Sequence, residues 1–163
     1  DVYKRQNQGA GATFLKNTLT RISHSLGYSY DETQAMIARS FMISADNGHA
    51  LHPNHGEYAD PVNAPRLNEG IVIKFNAQQK YATDGFSAAF FRDLCRRVEV
   101  PTQVFTNRSD IPGGSTLGNI SNTKVSMPTV DIGLPQLAMH SSYETAGTKD
   151  TAYLVMACTA FFE

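Results

Sequence analysis

Apolar residues recur at helical spacing from Thr13 to Leu26, where Leu15, Leu19, Ile22 and Leu26 fall three to four apart and Phe14 adjoins Leu15. Gly27 ends that run. A second helix follows, with Ser29 as N-cap and Glu32 three residues on, the pattern of a capping box, and with Ala35, Met36 and Ile37 among its apolar positions. Ser40 to Ala45 is short, mostly apolar and stops abruptly at Asp46, which predicts a buried strand. Ile71 to Phe75 predicts another. Thr83 or Asp84 caps a helix to about Val98 that carries Phe86, Ala89, Phe90 and Leu94 on one side. Pro101 breaks it, and Thr102 to Thr106 reads as a strand. A strand around Thr129 to Ile132 and a helix from about Asp150 to Phe162 complete the pattern. Strands alternating with helices predict an α/β sheet with helices on its faces.

Two segments carry no periodicity. Asn47 to Asn68 is polar, holds His49, His52, His55 and three prolines, and is longer than a mere connection needs to be. Asp110 to Gly118 is a glycine-rich loop. Composition narrows the classes of function: of 163 residues, 41% are hydrophobic and 18% charged, with net charge -1. That balance offers no basic field for nucleic acid, and no apolar run reaches the roughly 18 residues of a membrane span. The two cysteines, Cys95 and Cys158, both lie in apolar helical patterns, which fits a reducing, cytoplasmic compartment. Asp1 to Gln6 resembles the in-frame translation of a sequencing adapter, in which case natural sequence begins near Asn7 and extends upstream; the alternative is an ordinary polar strand or linker.

Candidate chemistry centres on Asp46, at the predicted C-terminal end of a buried strand, where open α/β sheets place ligand-binding residues. The alternative is a turn cap. Together, Asp46, His49, His52 and His55 offer oxygen and nitrogen donors suited to zinc. The spacing matches no helical zincin motif, however, and Pro53 disrupts a helix after His52, so a solvated loop stays open as a reading. His140 becomes relevant only where folding sets it beside Asp46, which spacing does not decide. Gly113-Gly114-Ser115-Thr116 lacks both the P-loop ending and the hydrolase nucleophile elbow, and reads best as a tight pocket wall. Lys74 is either a cation for an anionic substrate or a solvated strand-end lysine.

Several motifs then line up in order: Ser44-Ala45-Asp46-x-x-His49-Ala50-x-His52-Pro53-Asn54, Gly70-Ile71-Val72-Ile73-Lys74, Gln79-x-Tyr81-Ala82-Thr83, Gly114-Ser115-Thr116-x-Gly118, and Pro135-Gln136-Leu137-x-Met139-His140-Ser141. Together they resemble the M18 family of zinc aminopeptidases, of the aspartyl aminopeptidase type, over nearly the whole chain. The resemblance implies a three-layer α/β/α zinc-aminopeptidase (phosphorylase/hydrolase-like) catalytic domain with a mixed sheet, present here as its incomplete C-terminal part, residues 7–163. It implies two zinc ions per active site, one held by Asp46 and the other by His140. His49, Lys74, His52, Gly114 and Ser115 would line the substrate site.

The family's bridging Asp, its first metal His and the Glu-Glu pair that supplies the general base are expected upstream of Gln8, so no catalytic base is assigned within this chain and the chain alone is expected to be inactive. Two-metal hydrolysis of peptides, acidic N-terminal residues preferred, and dodecameric assembly are implied for the complete enzyme. Departures from the usual pattern include Asn47-Gly48 for Met-Ala, Lys80 for Arg, Gly113 for Cys and Tyr143 for Arg. A non-catalytic scaffold subunit of the same fold is the alternative.

Overall fold

The computed structural model describes residues 6, 7 and 9–163, so the adapter reading of residues 1–6 lies almost wholly outside the described residues. In chain order the elements are α1 (Phe14–Ser25), α2 (Tyr30–Ala38), β1 (Met42–Ala45), β2 (Gly48–His49), β3 (Ile71–Phe75), α3 (Gly85–Arg97), β4 (Thr102–Thr106), α4 (Leu117–Asn122), β5 (Thr129–Gly133), β6 (Pro135–Leu137), β7 (Thr145–Ala146) and α5 (Thr148–Phe162). A single turn of 3-10 helix, Gly56–Tyr58, sits in the polar stretch. The main sheet has the order β1-β5-β3-β4, with β1 parallel to β5, β3 parallel to β4, and β3 antiparallel to β5. It is therefore mixed, as expected. A smaller sheet, β2-β6-β7, continues from it.

Strand parity builds the layers. Ile71 and Ile73 of β3, with Val130 and Ile132 of β5, face a core shared with Ala88, Phe91 and Cys95 of α3 and Ala157 of α5. The alternate residues point the other way. There Val72 packs with Tyr81 and Phe105. On the same side, Gly118 of α4 donates its N–H to Ser44 Oγ (2.8 Å), and Ser44 is the register partner of Asp131. Helices thus cover both faces of the sheet, giving the α/β/α arrangement.

Local chemistry sets the boundaries. Ser29 and Glu32 form the expected capping box, and Asp84 with Ser87 forms a second at α3. Ser40 does not join β1: its N–H and hydroxyl bond to the carbonyls of Ile37 and Met36, closing α2. Asp150, fully buried in the first turn of α5, accepts N–H groups from Asn68 (2.6 Å) and Gly70 (3.0 Å) and so pins the entry to β3.

Within α3 the buried residues are Ser87, Ala88, Phe91 and Cys95, Leu94 packs partly against the same core, and Phe86, Ala89 and Phe90 are exposed. Phe90 turns outward onto Phe41 (centroids 4.5 Å apart). On α1, Phe14, Ile22 and Leu26 stand exposed, and Ser23 is the buried residue.

Candidate active site

The β1–β2 and β5–β6 segments kink together, and the kink builds the floor of a cavity. Asp46 N donates to Ile132 O (3.0 Å), Gly48 N to Leu134 O (3.0 Å) and Ala50 N to Gln136 O (2.9 Å), so pairing continues across the break. Gly133 makes the kink possible, because a Cβ there would collide with the Asp46 carbonyl. Asn47 staples the two segments: its Oδ1 accepts from Leu134 N (3.2 Å) and its Nδ2 donates to Gln136 Oε1 (2.7 Å). This puts Asp46, at the end of β1, beside the strand that leads to His140.

A cavity of about 800 Å³ opens above this floor. It is lined by all seven of the residues singled out from sequence: Asp46, His49, His52, Lys74, Gly114, Ser115 and His140. Lys74 follows from β3 parity: it shares the face of Val72, is only 2% exposed, and is not a solvated strand-end lysine. Its Nζ donates to Asn47 O (3.1 Å) and lies 5.6 Å from the centre of the Tyr81 ring. His49 sits close enough to His140 and Lys74 to feel both; burial first, then those two groups, hold its pKa below the ordinary histidine value. His140 adopts a left-handed backbone (φ 69°), and its N–H donates to Glu144 Oε1 (2.5 Å). Such conformations cost energy for a non-glycine residue and cluster at functional sites.

Sequence spacing did not single out Tyr81, Arg108 or Asp131 for a role in the site. Tyr81 donates to Asn107 Oδ1 (3.3 Å), and its pKa is raised by burial, then by Asp131 and Asp46. Asp131, fully buried in β5, accepts from Ala82 N (2.5 Å), while its own N–H donates to Thr83 Oγ1 (2.8 Å), so the Tyr81 segment is moored from below. A carboxylate inside an otherwise apolar strand was the available signal for Asp131. Arg108 lies between β4 and the glycine-rich loop, pairs with Asp110 (Nε to Oδ1 2.7 Å) and donates to the Glu57 carbonyl, tying two walls together.

The donors are of the right kind for zinc, a carboxylate and imidazoles, but not of the right number. Among the described residues, no group of three or more His, Cys, Asp or Glu side chains converges to hold a metal ion. The run Asp46, His49, His52, His55 is thus no metal centre in itself. Past β2, the His52 and His55 rings lie against each other, tilted, with centroids 5.0 Å apart, on the wall of the cavity that Asp46 also lines. The two cysteines are free thiols, and burial, then Cys158, push the Cys95 thiol up to about 12, an inert group. Among the described residues, no helix is long and apolar enough to cross a membrane.

The sequence profile of the family described as "Aminopeptidase I zinc metalloprotease (M18)" matches residues 2–162. A "Probable M18 family aminopeptidase 2" of Clostridium acetobutylicum is 48% identical over 155 residues, 95% of this chain and 36% of the relative. The cryo-EM structure of an Ape4 and Nbr1 complex superposes with TM-score 0.95 at 38% identity, over 99% of this chain and 30% of that one. A structure of the S. cerevisiae mApe1 dodecamer superposes with TM-score 0.82 at 27% identity, over 99% of this chain and 35% of that one. The chain thus spans about a third of the length of the proteins it matches.

Proposed function

The chain belongs to the M18 family of zinc metalloproteases, and from that premise we propose that it forms one side of the active site of a metal-dependent aminopeptidase. The observation that carries this reading is convergence. Asp46 and His140, far apart in sequence, line one cavity together with a buried lysine. In the full-length protein, Asp46 and His140 each hold one of two zinc ions, and residues outside this chain supply the remaining ligands and the general base. Zinc, when bound, supplies an acidified water and a Lewis acid for the scissile carbonyl.

The chain's own residues bind and orient the peptide. Lys74 faces the side chain of the N-terminal residue, and a buried cation there favours Asp or Glu, because pairing offsets the cost of holding its charge out of water. His49, kept neutral at neutral pH by its lowered pKa, is a hydrogen-bonding group and not a second fixed cation. His52 lines the wall, and Gly114 with Ser115 closes the opposite one. The complete enzyme assembles as a homo-dodecamer and works on peptides in the cytoplasm, a compartment that suits two free thiols. By itself the chain binds zinc weakly and turns nothing over, since its described residues gather no group of three or more donors.

The test is the full-length protein with Asp46→Ala or His140→Ala. Each substitution is expected to abolish release of an N-terminal residue and to lower the zinc content measured by atomic absorption. Unchanged rates with unchanged zinc would remove the assignment and favour a scaffold subunit.

A further inference from the structure

The cavity has a mouth of which the proposed function uses only His52. His52, His55 and Tyr58 form a ladder of rings along one wall, with centroids 5.0 and 5.7 Å apart and tilts of 43° and 37°. All three line the same cavity as Asp46 and Lys74, yet Tyr58 is 66% exposed where Lys74 is 2%. The cavity therefore runs from a buried cation at its inner end to an exposed aromatic wall at its outer end.

The ladder is ordered in advance. Asn54 N donates to His52 Nδ1 (3.1 Å), Tyr58 N to His55 O (3.3 Å), and His55 Nδ1 meets Glu57 Oε1 at 3.1 Å. Arg108 clasps the loop through the Glu57 carbonyl. The charged groups at the mouth are already engaged within the protein: Arg108 with Asp110, Glu57 with His55, and Asp60 with the N–H groups of Val62 and Asn63. Beyond those pairs the wall presents the three rings themselves, flanked by Leu51, Pro65 and Ile111.

The geometry points to a subsite for an aromatic side chain on the residue that follows the cleaved N-terminal one. This rests on the aminopeptidase reading. With the N-terminal residue drawn toward Lys74, the rest of the peptide has to leave through the mouth, and the next residue, some 3.3–3.6 Å further along an extended chain, passes the ladder. A cavity of about 800 Å³ has room for more than one residue. An aromatic ring packed on a preformed ring wall gains more than its buried area alone provides, with little ordering cost.

The experiment uses the full-length enzyme and dipeptide amides with Phe or Gly in second place, in one series with N-terminal Asp and another with N-terminal Leu. The expected kcat/KM ratio of Phe to Gly is about three- to tenfold. In the double variant His55→Ala, Tyr58→Ala that ratio falls to near one. In His55→Phe and Tyr58→Phe it persists, and zinc content and melting temperature show that all variants are folded and loaded. A ratio near one in the unaltered enzyme, or one that survives the double substitution, overturns the inference while the aminopeptidase reading stands. No hydrolysis of any of these peptides by the unaltered enzyme overturns both.

Discussion

The two ends of the cavity are held by different kinds of contact. At the inner end, Asp131 grips Ala82 across 49 positions of sequence, Asn47 grips Leu134 across 87, and Lys74 reaches Asn47 across 27. At the mouth, His52 is bonded by the residue two positions on, His55 by Glu57 at the same separation, and the Arg108 clasp is the long-range exception. The inner end is thus a product of the whole sheet, its parts tied to one another across it. The mouth is a local structure laid over it. A floor of that kind is suited to fixing reacting groups, and a rim of that kind to tolerating different peptides.

The sharpest way to break this contrast is to remove the cation at the floor. Lys74→Met in the full-length enzyme keeps much of the side chain's volume while deleting its charge. Truncating one partner of a buried charge pair costs about 2–5 kcal/mol. The kcat/KM for N-terminal Asp is therefore expected to fall by about thirtyfold or more relative to N-terminal Leu. An Asp-to-Leu ratio that does not move would show that Lys74 does not read the substrate, and the floor would lose its chemical role.

A pair of glycines tests the mechanical side of the comparison. Gly133→Ala drives a methyl group into the Asp46 carbonyl at the floor, whereas a Cβ at Gly114, on the glycine-rich wall, meets nothing within 4 Å. Overpacking of this sort costs about 1–3 kcal/mol. Denaturant titration is expected to register that loss for Gly133→Ala and a change near zero for Gly114→Ala. Equal effects at the two sites would erase the distinction between floor and rim.

The same contrast explains what could be read from the sequence. Each candidate residue was visible in its own segment, Asp46 by its place after a buried run and Lys74 by its place in Ile-Val-Ile-Lys. The family resemblance supplied the roles. That they share one cavity depends on pairings 87 and 89 positions apart, which spacing along the chain does not encode. The buried face of α3 is hidden in the sequence for a related reason: Phe86, Phe90 and Phe91 are equally hydrophobic, yet only Phe91 is fully buried, beside Ala88 and Cys95, because the position of the sheet decides which side faces in. Helix α4 escaped notice because Gly118, Asn119, Ser121 and Asn122 are weak helix formers. It is held by the bond from Gly118 to Ser44, a contact across 74 positions.

The smallest expected effect lies where a local device supports the floor. Asp84 caps α3 immediately after Thr83, the residue moored to Asp131. Its carboxylate accepts from Ser87 N (2.7 Å), and that backbone bond, then the Ser87 hydroxyl, hold its pKa below the usual aspartate value. The stabilisation is therefore complete above the unfolded aspartate's pKa of about 4, and fades as pH falls through the lower folded one. Asp84→Ala is expected to cost about 1 kcal/mol at neutral pH, the usual worth of an N-cap. Asp84→Asn keeps the acceptor but not the titration, so its stability should stay flat across the acid window in which the unaltered protein loses this increment. The carboxylate is largely solvated, which keeps the increment small. Parallel acid-stability curves for the two proteins would mean that the cap's charge does not contribute, leaving the mooring of Thr83 to Asp131 to hold this side of the floor.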